Sequence, residues 1–333
     1  MRIAVDAMGG DFAPREIVAG AVDAACKLPN ISRIFLVGDE SAVRMELGRF
    51  GSVSPKIEVL HAAEAIGMGE APALAVRKKK DSSISRAIDL VKKGEADAMV
   101  SAGNTGAVVV AASLKLRALE GVKRPTIAAV MPTAKRPFVL IDAGANLDSE
   151  PGLLAQFAAM GAVYSREILH RENPVVGLLS IGQEDSKGNQ VTKEAFQMLS
   201  ASKLNFRGNV EGHDLFEGET DVVVCDGFVG NVVLKTSESV ARAITRVVKR
   251  EFTSNPVRIL GAILLARAIS KMKKQMDPEL YGGAPLLGVN GVCIISHGAS
   301  SARAIFHAVR VACDSLHQRL NEQMIQEIRK NGF

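Results

Sequence analysis

The chain has 333 residues, 47% hydrophobic and 23% charged, with 30 glycines and a net charge of +5. That composition suits a large buried core, in two domains or one two-lobed unit, and excludes extended disorder. With no Trp and only two Tyr, stacking platforms for single-stranded nucleic acid are not expected, and nucleic acid is not among the expected partners.

In chain order, short apolar runs alternate with longer helical patterns. Ile3-Ala4-Val5 follows Met1 with no leader pattern and precedes a helical stretch at 14–27; Ile34-Phe35-Leu36-Val37 precedes another. Ala98-Met99-Val100 leads into 108–119, Phe138-Val139-Leu140-Ile141 into 153–169, and Val222-Val223-Val224-Cys225 into 232–250. Apolar strands alternating with helices predict a layered α/β fold whose mostly parallel sheet is covered on both faces. No repeat or low-complexity linker divides the chain, and turn residues cluster near 121–125 and 278–285. No run of 18 apolar residues occurs, so a cytoplasmic protein without a spanning helix is expected. The cysteines, Cys26, Cys225, Cys293 and Cys313, form no CxxC pair and read as free thiols.

Five strand ends carry a polar residue followed closely by glycine. They are Asp6-Ala7-Met8-Gly9-Gly10-Asp11, Ser101-Ala102-Gly103-Asn104-Thr105-Gly106, Asp142-Ala143-Gly144-Ala145-Asn146, Ser180-Ile181-Gly182 and Asp226-Gly227-Phe228-Val229-Gly230-Asn231. Open α/β sheets bind ligands at the carboxyl ends of their strands, where glycine lets peptide N–H groups approach. Each loop alone reads better as a tight strand-to-helix turn; together they predict one shared cleft. Gly103-Asn104-Thr105-Gly106 and Gly230-Asn231 open helices, whose N-termini suit phosphate as well as plain capping. Lys187, in Glu184-Asp185-Ser186-Lys187-Gly188-Asn189, is the candidate loop cation for a phosphate or an oxyanion.

Absent motifs narrow the chemistry. There is no GxxxxGK[ST], the nearest approach to GxGxxG has Pro72 in place of the third glycine, and no GxSxG occurs. The six histidines show no HExxH spacing, so no metal is expected. His297 sits at a strand-to-helix turn, where it serves either as an acid or base or as a local cap.

Two basic segments stand out. Arg77, Lys78, Lys79 and Lys80 form a compact run. Residues 255–276 read as one helix, apolar in its first half (Leu260, Leu264 and Leu265 among others) and carrying Arg267, Lys271, Lys273 and Lys274 in its second. The apolar half is shorter than the ~20 residues that span a bilayer; it suits a buried oligomer contact or insertion into a membrane surface.

The four tags named above at Asp6, Ser101, Asp142 and Asp226, joined by Tyr281-Gly282-Gly283-Ala284-Pro285-Leu286-Leu287-Gly288, run through the whole chain in order. Together they resemble the bacterial acyl carrier protein:phosphate acyltransferases. The resemblance implies an enzyme that converts acyl-[acyl carrier protein] and inorganic phosphate to acyl phosphate, feeding a membrane acyltransferase that starts phospholipid synthesis. It also implies a homodimer, a fold like isocitrate and isopropylmalate dehydrogenases, and neither a nicotinamide cofactor nor a catalytic metal. On that pattern residues 1–120 and 285–333 form one lobe and 121–284 the other, with an amphipathic helix near 257–276. The reading then places phosphate at Ser101, Gly103, Asn104, Thr105, Gly106 and Lys187. Asn146 and Asn231 orient the acyl carbonyl or its oxyanion, and Asp142 and Asp226 position those groups. The carrier protein docks on Arg77 to Lys80 or on Arg267, Lys271 and Lys274, and Leu260, Leu264 and Leu265 touch the membrane reversibly. Phosphate attacks the activated thioester directly, in preference to a route through Cys225, which has no basic neighbour in sequence. The competing readings are a non-catalytic carrier-protein binder or membrane scaffold, and an oxidoreductase of the same fold.

Overall fold

In the computed structural model all 333 residues are described except the side chains of Lys273, Lys274 and Pro278. The expected carrier contact at Lys274 therefore lies outside the described residues. The apolar runs form strands: β1 (Arg2–Asp6), β2 (Arg33–Gly38), β3 (Ile57–His61), β4 (Ala98–Ser101), β5 (Thr126–Met131), β6 (Phe138–Ile141), β7 (Val176–Leu179), β8 (Phe206–Val210), β9 (Val222–Val224), β10 (Ala284–Leu287) and β11 (Val292–Ile295). They make one 11-stranded sheet in the order β3-β2-β1-β4-β11-β10-β5-β6-β9-β7-β8. The helices are α1 (Arg15–Lys27), α2 (Glu40–Leu47), α3 (Pro72–Lys78), α4 (Ser83–Lys92), α5 (Thr105–Lys115), α6 (Pro151–Ile168), α7 (Gln190–Ser200), α8 (Gly227–Phe252), α9 (Pro256–Leu264), α10 (Ala266–Gln275), α11 (Ala302–His317) and α12 (Leu320–Asn331).

The sheet is parallel within each half and reverses in the middle. β1, β2, β3, β4 and β11 run one way, and β6, β9, β7 and β8 run parallel to one another. Antiparallel pairings of β11 with β10, β10 with β5 and β5 with β6 separate them, so the second half runs opposite to the first. Adjacent strands twist by about 20–25°, so the six steps from β1 to β9 accumulate roughly 120–150°. A rotation of that size offsets much of the reversal, and loops of the two halves meet: Ala143 and Ala145 after β6 pack in one hydrophobic group with Ala107 and Val108 of α5. The course of α8 agrees: it starts at the carboxyl end of β9, and its Glu238 lies 3.9 Å from His297, which follows β11.

Both faces are covered. Ile17, Val18 and Ala21 of α1 and Ile305 and Val309 of α11 pack with Ile3, Val5, Ile34 and Leu36 on one face of the first half. Ile84 and Ile88 of α4 and Ala107, Val108 and Ala111 of α5 cover Ala4, Val37 and Met99 on the other. In the second half α6 lies against Val139, Ile141, Val176 and Val222, with Leu320, Met324 and Ile328 of α12 in the same cluster. Full burial of such side chains contributes ~1.5–3 kcal/mol each, so the strands that end at the polar loops are rigid supports.

One expected element differs. The single helix at 257–276 is two, α9 and α10, with Leu265 between them at φ −89° and ψ 2°. A straight helix of that length would run ~30 Å outward. Here Gln275 Nε2 donates to Ala134 O and Asp277 pairs with Arg303 at 2.7 Å, which draws the chain back to the body. Leu260, Leu264 and Leu265 remain exposed, at 59%, 79% and 51%.

Candidate active site

The first polar cluster lies at the carboxyl ends of β1 and β4. Asp6 is fully buried and accepts from Ser101 Oγ at 2.6 Å and from the Met8 N–H at 3.2 Å. Burial pushes its carboxyl above the ordinary carboxylate range, opposed by bonds from Ser101, Ser83, Met8 and Gly9. Ser101 Oγ in turn accepts the Gly103 N–H at 3.0 Å. A methyl group at Gly9 would overlap both Asp6 and the Gly103 backbone, so only glycine lets the two loops meet.

Asn104 begins α5. Its Oδ1 caps the Ala107 N–H at 3.0 Å, and its Nδ2 donates to the carbonyls of Gly67, Met68 and Glu70 at 3.0–3.2 Å. Ser101 and Asn104, expected on phosphate, thus have their polar atoms committed to the protein; they shape the loop. What remains at this end is the first turn of α5, with Thr105 exposed and the N–H groups of Thr105 and Gly106 lacking any intrahelical acceptor. Gly106 packs on Pro72, the first residue of α3.

The second cluster lies at the carboxyl ends of β6 and β9. Buried Asp142 takes five donors: its Oδ1 accepts from the N–H groups of Ile127, Gly144 and Ala145, and its Oδ2 from the N–H and Nδ2 of Asn146, all at 2.7–3.1 Å. The other Nδ2 proton of Asn146 goes to Pro125 O at 2.8 Å. Asn146 therefore has no N–H left for an acyl oxygen and acts as a brace. Asp226 caps α8 through the Val229 N–H at 2.9 Å. Gly230 lies so close to the Asp142 carbonyl that no side chain fits. Asn231 is exposed, with its side chain lying over Gly144. The two clusters share a floor: Ala143, Ala145 and Leu234 pack in one hydrophobic group with Ala107, Val108 and Val110 of α5.

Lys187 is exposed at the carboxyl end of β7, in the turn where its N–H binds Glu184 O at 3.0 Å and its methylenes cover Gly182. Cys225 is buried, its Sγ directed at the Asp142 carbonyl at 3.7 Å. Burial, with the nearby charges of Asp226 and Asp142, pushes its thiol well above the ordinary range, which disfavours the thiolate that a nucleophile needs.

The basic segments fall at the end of α3 and on α10, and α3 abuts the first loop through Pro72 against Gly106. Arg77, Lys78 and Lys80 are exposed around the end of α3, whereas Lys79 is half-buried and ties Ala65 O and Glu70 at 2.8 and 2.6 Å. Arg267 and Lys271 are exposed on α10. The organising carboxylate Asp6 was missed as a site residue; the Val5-Asp6-Ala7-Met8-Gly9-Gly10 stretch contained it, but nothing local marks its bond to Ser101. Among the described residues no helix is long and apolar enough to cross a membrane.

The fatty acid synthesis protein family matches residues 1–323. A phosphate acyltransferase of Pelotomaculum thermopropionicum is 49% identical, covering 98% of this chain and 95% of its own. One of Halothermothrix orenii is 48% identical with 100% of both chains covered. In structure the chain is similar to a phosphotransacetylase from Streptococcus pyogenes, at TM-score 0.61 and 20% identity over 95% of this chain and 94% of that one. It is also similar to a 4-hydroxythreonine-4-phosphate dehydrogenase from Klebsiella pneumoniae, at 0.51 and 14% over 94% and 96%. These two likenesses concern the fold alone, and they agree with the expected dehydrogenase-like α/β architecture. The chain belongs to the phosphate acyltransferases of the fatty acid synthesis protein family and is an acyltransferase.

Proposed function

We propose that the protein transfers an acyl group from the thioester of acyl carrier protein to inorganic phosphate, in a single displacement with no acyl-enzyme. The observation that carries this reading is the contrast between Cys225, buried with a raised thiol pKa, and the exposed polar groups at the strand ends: Thr105 at the N-terminus of α5, Asn231 and Lys187. A thioester is already activated, so the protein has to desolvate phosphate, align it with the carbonyl and stabilise the oxyanion. A phosphate oxygen forms the new C–O bond. The tetrahedral oxyanion then collapses, the C–S bond breaks, and the phosphate's proton ends on the released thiol. Thr105 and the first N–H groups of α5 hold phosphate, with Lys187 adding positive charge; Asn231 orients the acyl oxygen. Asp6, Ser101, Asn104, Asp142, Asn146 and Asp226 are positioning residues. Neither a cofactor nor a metal takes part in this route.

The carrier protein is acidic in this reading and docks on the exposed cations of α3 or α10, chiefly raising the association rate. The lobes are residues 1–120 with 285–333, and 121–284. α8 supports the homodimer: only Gly227 and Gly230 of it are buried, and Val240, Ile244 and Val247 are exposed. Reversible membrane contact of a cytoplasmic protein rests on Leu260, Leu264 and Leu265 beside Arg267 and Lys271; it would hand the amphiphilic product to a membrane acyltransferase.

The test is incubation with acyl carrier protein thioester and labelled phosphate, followed by hydroxylamine trapping. Labelled acyl phosphate and a hydroxamate are expected; bound carrier with no hydroxamate would mean a non-catalytic binder. For the membrane contact, glutamate at Leu260 and Leu264 should abolish sedimentation with anionic vesicles and leave the dimer intact.

A further inference from the structure

The phosphate loops do not account for Glu238 and His297. Glu238 projects from α8 with a side chain 26% exposed, yet its Oε2 is buried and has no hydrogen-bond partner among the described residues. Three cationic or potentially cationic groups approach that carboxylate without reaching it. Lys235 Nζ and Arg242 Nη2, both on α8 itself, stand at 3.9 and 3.8 Å, and His297 Nε2, from the loop between β11 and α11, stands at 3.9 Å. The lysine and arginine extend from largely exposed side chains, whereas the histidine crosses from the other half of the sheet.

The protonation pattern of His297 is fixed by its own turn. Its Nδ1 accepts the Ala299 N–H at 3.1 Å, so the neutral ring carries its proton on Nε2 and points a donor at Glu238. In that tautomer Nε2 is the atom that can donate toward Glu238.

Resting on the acyl-transfer reading, we propose that His297 and Glu238 are a positioning clasp across the cleft. When substrate fills the cleft, the Nε2–H of His297 closes onto Glu238 Oε2, gives that buried oxygen its missing donor, and fixes α8. Asn231, on the first turns of the same helix, is thereby held opposite the N-terminus of α5. The loop carrying His297 is joined to that end directly: Gly298 O accepts the Asp11 N–H at 2.8 Å, and Ser296 N–H donates to Ser101 O at 2.8 Å.

The experiment is a double-mutant cycle on the full-length protein, with hydroxamate formation measured against phosphate concentration and backbone hydrogen exchange measured in parallel without turnover. His297→Ala and Glu238→Ala should each lower kcat/KM for phosphate by about tenfold, and the double variant should be no worse than the weaker single one. His297→Gln, which keeps an N–H donor, should stay within about threefold of the wild type. Each alanine variant should also speed exchange across residues 226–238 and 296–300 when phosphate and a thioether analogue of the substrate are present, again without additivity. Additive losses, unchanged kinetics, or a glutamine variant as impaired as the alanine one would overturn the clasp. If the wild type forms no acyl phosphate, the functional reading fails, and the exchange arm still decides the clasp.

Discussion

Asp142 and Asn104 both stand at the carboxyl end of a strand and both organise a glycine-rich loop, but in opposite ways. Asp142 turns the N–H groups of Gly144, Ala145 and Asn146 inward onto its own carboxylate, so that loop is closed on itself. Asn104 fastens outward, to the carbonyls of residues 67, 68 and 70, and leaves the first turn of α5 open. A loop whose donors are taken by a buried carboxylate has none to offer a ligand, whereas a helix N-terminus with free donors is suited to an anion. On the proposed function, the substrate-facing groups of the second half are then Asn231, beyond the closed loop, and Lys187 on the neighbouring strand end.

Breaking the closed loop should have the largest effect. Asp142→Ala leaves buried donors unpaired and is expected to cost roughly 3–5 kcal/mol of stability, read by denaturant unfolding, with activity lost as a consequence. Unchanged stability would mean that the carboxylate is not the organiser. Lys187→Ala and Asn231→Ala sharpen the contrast from the other side. They should lower kcat by about 10²–10³-fold and leave the melting temperature unchanged, because both side chains face solvent. Asn104→Ala falls between: about 1 kcal/mol of stability from the lost cap, and a rise in KM for phosphate larger than the fall in kcat as the 67–70 segment loosens.

The smallest effect concerns Asp6. Its folded pKa is raised by burial, so between the unfolded value of about 3.9 and the folded one the native state holds more protons than the unfolded state. Stability therefore falls as pH rises through that window. Asp6→Asn removes the titration. The melting temperature of the wild type relative to that variant should be higher near pH 4 than at neutral pH; a difference independent of pH would contradict the raised carboxyl.

The strands and most helices were legible because a two-faced sheet demands uninterrupted apolar runs such as Val222-Val223-Val224. The reversal at β10, β5 and β6 was not, since the apolar pattern carries no direction. Glycine tags marked which strand ends matter, but not which polar atoms stay free. The partners of Asn104 lie 34–37 residues away and the Pro125 carbonyl lies 21 residues from Asn146, so their consumption is a product of the fold. The break at Leu265 has the same origin, in anchors at Ala134 and Arg303 far along the chain.

Direct attack by phosphate is tested most simply by rapid quench with a carrier thioester labelled in its acyl group. Without phosphate, no label should remain on the protein; with phosphate, label should pass to acyl phosphate with no lag, and Cys225→Ala should retain most of the wild-type rate. Acid-stable label on the protein in the absence of phosphate, lost in a correctly folded Cys225→Ala variant that is also inactive, would contradict the account.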